Sequence, residues 1–77
     1  MTTAEIRIKL HQLINKNVAV IYKGNTGPTI WGKLLYDGSK FNPWAILSFK
    51  TGLFYVLTPT AIDFIEELKV KPEEIEF

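Results

Sequence analysis

The stretch TIWGKLLYDGSKFN, residues 29–42, decides the fold. Residues 29–36 are mostly β-branched, aromatic or aliphatic and read as a strand, with Gly32 inside it. A glycine within a strand marks a sharp bend or a close backbone approach, as a small barrel requires. Asp37-Gly38-Ser39-Lys40 follows as a loop, because Asp bonds its own backbone and Gly accepts positive φ. Phe41-Asn42-Pro43 completes the loop.

Working outward, residues 44–49 form a third strand, Lys50-Thr51-Gly52 a hairpin turn and residues 53–57 a fourth strand. Thr58-Pro59-Thr60 connects it to a fifth strand at residues 61–65. On the N-terminal side, residues 18–22 are a short β-branched strand, and residues 23–28, with two glycines and Pro28, are a turn. Further upstream, Thr2-Thr3-Ala4-Glu5 has the T-x-x-E form of a capping box. Ile6, Leu10, Leu13 and Ile14 then share one helical face. Ile8 breaks that pattern, and residues 6–10 also alternate like a strand, but the cap favours a helix over about residues 3–15. The expected architecture is mainly β: an N-terminal helix, then a five-stranded, strongly bent SH3-like open barrel over about residues 17–67. A charged tail, residues 68–77, completes a single domain spanning residues 1–77.

A chain of 77 residues holds one core and buries only about 60% of its unfolded surface. Small domains supplement such a core with disulfides, metals or oligomerisation. There is no cysteine, which excludes disulfides and thiolate metal sites, and the single His11 cannot build an imidazole site by itself. Oligomerisation is the remaining route. Residues 53–57 point the same way, since Leu53, Phe54, Tyr55, Val56 and Leu57 are apolar or aromatic at every position. Both faces of that strand want cover, and an apolar strand near a free edge is a pairing hazard unless something occupies it. A monomer whose helix and tail provide the cover is the other solution.

No apolar run approaches the roughly 20 residues needed to cross a bilayer. The missing cysteine fits a cytoplasmic protein. Net charge is +1, but residues 1–50 carry seven basic against two acidic groups and residues 51–77 two basic against six acidic. The imbalance suits a basic face for a polyanion or head-to-tail self-association, and equally a scatter of solvated charge.

The order of elements, together with Gly32, Leu34, Phe41 and Asn42, resembles the Sm/LSm (Hfq-type) family of small RNA-binding ring proteins. The family's first motif has a Gly in a bent strand, an apolar residue two later, and an apolar-Asn pair with the Asn ten after the Gly. Its aromatic-Asp pair corresponds to Tyr36-Asp37, one position early here. The family's second motif has a basic residue between the fourth and fifth strands, where this chain has Thr58-Pro59-Thr60. The resemblance implies a homo-oligomeric ring joined through the fourth and fifth strands, with Leu53, Phe54, Tyr55, Val56, Leu57, Ile62 and Phe64 at the interface. It also implies single-stranded RNA as a partner and a role as chaperone or scaffold. Its site positions correspond to Asn42 and Lys40, with no Arg to complete them.

The residues themselves give that loop a chemistry. Lys40, Phe41, Asn42 and Trp44 put a cation, two aromatics and an amide within five residues, with Asp37 just before them. Cations hold phosphates, flat rings stack bases and Asn presents both a donor and an acceptor to a base edge. Equally, Phe41 and Trp44 could serve as core and Asn42 as a turn cap before Pro43. Catalysis is not expected: His11 has no evident orienting acid, nothing places Asp37 beside Asp63, and Gly24-Asn25-Thr26-Gly27 lacks the Lys-Ser/Thr of a phosphate loop. No cofactor or metal is implied. The reading of a different class is an SH3-like protein-interaction or structural module that binds no nucleic acid.

Overall fold

The computed structural model describes residues 1–25 and 29–69. Part of the expected 23–28 turn and residues 70–77 of the expected tail lie outside them. Helix α1 covers Thr3–Gln12, followed by β1 (Asn17–Tyr22), β2 (Ile30–Tyr36), β3 (Trp44–Ser48), β4 (Phe54–Val56) and β5 (Ile62–Glu67). The strands make one open antiparallel sheet in the order β4-β3-β2-β1-β5. The molecule is therefore mainly β, with one N-terminal helix. Among the described residues no helix is long and apolar enough to cross a membrane.

Helix α1 starts where the capping box places it. Thr2 Oγ1 accepts from the Glu5 amide at 3.2 Å, and the Glu5 carboxylate accepts from the Thr2 amide at 3.1 Å. The bond from the Thr2 amide, and after it the Thr2 hydroxyl, holds the Glu5 carboxyl below its ordinary pKa. The helix stops at Gln12, three residues short of the expected end. Leu13 caps it by donating to the Lys9 and Leu10 carbonyls, and Asn15 takes a left-handed φ of 65°. Asn tolerates that region better than most residues. The Asn15 amide then donates to the Leu34 carbonyl, so the chain enters the sheet at once.

One face of the sheet and the helix make the core. Ile6, Leu10 and Leu13 from α1 meet Val18 and Val20 of β1, Leu34 of β2, Trp44 and Ile46 of β3, Leu57, and Ile62 and Ile65 of β5. The alternating burial of β3 is the half-buried strand pattern. Helix α1 packs chiefly on β5 and on the adjoining 3₁₀ turn at Pro59–Ala61. That turn takes Ala61 out of the expected fifth strand, and β5 instead runs on to Glu67. Gly32 pairs with Ser48, and an added Cβ there would run into the Leu47 carbonyl and come within 2.8 Å of Ile46 Cγ1. A close backbone approach is the reason for glycine inside β2.

The fourth strand is shorter than expected, with Leu53 in the turn before it. Ser48 Oγ accepts from the Lys50 and Thr51 amides, Gly52 has a φ of 70°, and Leu53 donates to Thr51 Oγ1 at 3.2 Å. At the other end Leu57 donates to the Trp44 carbonyl, and its side chain is buried in the core.

A cleft between the helix and the β2–β3 loop

The loop from Asp37 to Pro43 is built by its own short polar side chains. Asp37 Oδ1 accepts from the Ser39 amide at 2.8 Å, and Ser39 Oγ accepts from the Phe41 and Asn42 amides at 3.3 and 3.2 Å. The Asp37 amide closes the loop on the Pro43 carbonyl at 3.0 Å, and Gly38 supplies a φ of 75°. These are Asx- and ST-turn bonds, the ordinary use of Asp and Ser in a turn. They stiffen a loop that carries Lys40 and Phe41 outward, and Phe41 is 90% exposed.

Beside this loop lies an open cleft of 330 Å³ lined by Arg7 and His11 of α1, Tyr36, Lys40, Phe41, Pro43, Trp44 and Pro59. Tyr36 and Trp44 are register partners on β2 and β3, which puts their side chains on one face of the sheet. Their ring centroids are 4.6 Å apart. His11 stands edge-on to both, with centroids 5.0 Å from Trp44 and 5.7 Å from Tyr36. Such tilted and T-shaped contacts are the favoured aromatic arrangements. Arg7 lies four residues before His11 and so on the same helix face. Among the described residues no carboxylate lines the cleft, and neither Arg7 nor Lys40 has an ion-pair partner.

The expected site residues divide accordingly. Lys40, Phe41 and Trp44 reach the cleft, although Trp44 is largely a core residue and offers only part of its ring. Asn42 is exposed on the loop and is not among the lining residues, and Asp37 spends one carboxylate oxygen on the Ser39 amide. Arg7, His11, Tyr36, Pro43 and Pro59 complete the lining and are not among the site residues expected from sequence. The i, i+4 spacing of Arg7 and His11 was the available signal. Nothing local to the helix says which part of the sheet that face overlooks.

The sheet edges form a second surface. Phe54 and Val56 pair across to Leu47 and Ala45, and Tyr55 to Ile46, so β4 shows apolar groups on both faces. All three residues of β4 are exposed, as are Leu53 before it and Phe64 on β5 at the far edge. Leu57 and Ile62, also expected at the interface, have their side chains buried in the core.

No family model, curated protein or solved structure matches the chain. Its function therefore has to be argued from this cleft and these edges.

Proposed function

We propose that this chain is an Sm-like protein that binds single-stranded RNA in the cleft and assembles into rings through the β4 and β5 edges. The observation that carries the reading is the cleft itself. It gathers Arg7 and Lys40, neither with an ion-pair partner among the described residues, with Tyr36, His11 and a nearly fully exposed Phe41 around one opening that no described acid lines. Phosphates need the cations and unstacked bases need the rings. A single strand fits better than a duplex, because only its bases are free to stack on a side chain.

The strand order supports the assembly. The ends of the sheet are β4 and β5, so each protomer offers two different edges that no other described strand pairs. Joining unlike edges head to tail produces a ring when the rotation closes. Such pairing would also cover Leu53, Phe54, Val56 and Phe64, which the protomer leaves exposed. Asn42, at the rim, presents its amide to a base edge.

The test has two parts. Native mass spectrometry should find a closed oligomer, and labelled oligouridylate should bind with an affinity that falls as salt rises. The Lys40→Ala/Asn42→Ala double variant should weaken binding without changing the particle mass. A monomer removes the ring and favours the protein-interaction module, whose partner strand would occupy the same β4 edge. Unchanged binding in the double variant removes the assigned loop.

A further inference from the structure

The loop between β2 and β3 brings an acid and a bare backbone amide together. Asp37 is followed directly by Gly38, and both are exposed. We propose that Asp37 is a site of spontaneous covalent modification, at which the backbone rearranges through a cyclic imide to isoaspartate and releases the loop. This goes beyond the RNA reading and does not depend on it.

Three observations carry it. First, the nucleophile is unoccupied. The Gly38 amide has no acceptor among the described residues, whereas the amides of Asp37, Ser39, Phe41 and Asn42 are bonded. Second, it is unhindered. Gly38 has no side chain, and nothing but its chain neighbours lies within 4 Å of where a Cβ would stand. Third, the Asp37 side chain is folded back on the backbone, because its Oδ1 accepts from the Ser39 amide at 2.8 Å. The ring closed by that bond passes through Cγ, Cβ, Cα and the carbonyl carbon of Asp37 to the Gly38 nitrogen, which are the atoms of the imide. The turn therefore gathers the reacting groups in advance, and such proximity lowers the barrier to ring closure.

The chemistry needs no reactant but water. The Gly38 nitrogen gives up its proton and bonds to Asp37 Cγ, and the protonated Oδ2 leaves with that proton as water. A second water then opens the imide. Attack at Cγ restores aspartate. Attack at the main-chain carbonyl carbon breaks its bond to the Gly38 nitrogen, which regains a proton, and the chain now runs through Cγ. The product has one more methylene in its backbone and a carboxylate on Cα. Ser39 then loses its acceptor, and the Asp37 amide loses its alignment with the Pro43 carbonyl, 3.0 Å away. Those bonds close the loop that displays Lys40 and Phe41, so isomerisation frees it.

The test is peptide mapping by mass spectrometry of the whole protein after days of warm incubation at mildly acidic and neutral pH. Isoaspartate should accumulate at Asp37, preceded by an imide lighter by one water. Asp63 is the internal control: it is also exposed, but Phe64 follows it within β5, so it should remain aspartate. The native protein should react at least as fast as the same protein unfolded in urea, because only the fold holds the turn. Asp37→Asn keeps the side-chain acceptor, loses ammonia instead of water, and should yield both aspartate and isoaspartate at this position. Hydrogen exchange at the Asp37 and Ser39 amides should rise several-fold in the aged protein. A native protein that isomerises more slowly than its unfolded form would show that the turn protects the bond, and the proposal fails. It fails equally if Asp63 isomerises to the same extent, if Asp37→Asn retains its amide, or if exchange in the loop is unchanged after isomerisation.

Discussion

Helix α1 and strand β4 both carry regularly placed large apolar residues, yet the fold treats them in opposite ways. Ile6 and Leu10 of α1 are fully buried against β1, β3 and β5. Phe54 and Val56 of β4 are 66% and 58% exposed at the edge of the same sheet. The helix is short and lies over the β5 end of the sheet, so its cover does not reach β4. Apolar character alone therefore does not say whether a side chain is core or surface. The strand it stands on and the face of the sheet it takes decide that, as exposed Phe64 beside buried Ile65 on β5 shows.

The largest expected effect would come from removing the buried side of that comparison. Leu10→Ala should destabilise the protomer by about 2–5 kcal/mol, through lost transfer energy and an unfilled cavity. Phe54→Ala, measured by urea unfolding at the lowest workable concentration, should stay within about 0.5 kcal/mol of the parent protein. Comparable losses at the two sites would break the distinction between core and edge.

Gly32→Ala comes next. The added methyl group meets the backbone of Leu47 rather than a side chain able to swing away, so the cost should be about 1–3 kcal/mol. An unchanged thermal midpoint would show that β2 and β3 can separate there without loss.

The smallest effect sharpens the picture of the helix. Thr2→Ala should cost about 1 kcal/mol at neutral pH by removing the cap. The Glu5 half of the box is pH-dependent. Its folded pKa lies below the ordinary 4.5, so its contribution is complete above 4.5 and fades as pH falls through the lower, folded value. Urea unfolding across the acid range should show the gap between Glu5→Ala and the parent protein narrowing as Glu5 protonates, because the partner of the Glu5 carboxylate is the Thr2 backbone amide. A gap that widens in acid would mean that the carboxylate opposes the helix.

Much of the fold was legible because its signals are local. The capping box needs only Thr2 and Glu5, three residues apart, and the turn at Asp37-Gly38-Ser39 needs only its own side chains. Boundaries shifted where a neighbouring element intervened. Leu34, far along the chain, takes the Asn15 amide and ends the expected helix early, and the Thr58 carbonyl takes the Ala61 amide and delays β5. The site was legible in part. Lys40 and Phe41 sit in a loop whose composition announces exposure, whereas Arg7 and His11 belong to a helix face whose outlook depends on how α1 crosses the sheet.

The sequence by itself determined the element types, the glycine at the crowded β2–β3 approach, the loop that displays Lys40 and Phe41, and the apolar run that became β4. Hydrophobic period, caps and turn residues act within a few positions, and so they can be read along the chain. Only the tertiary structure decided that Leu57 and Ile62 are core while Phe54, Val56 and Phe64 are surface. It also decided that Trp44 is chiefly core, and that Arg7 and His11 share a cleft with a loop about 30 residues further on. Those outcomes depend on which face of a helix lands on which strands. That docking is settled by packing between distant segments, and no short stretch of sequence contains it.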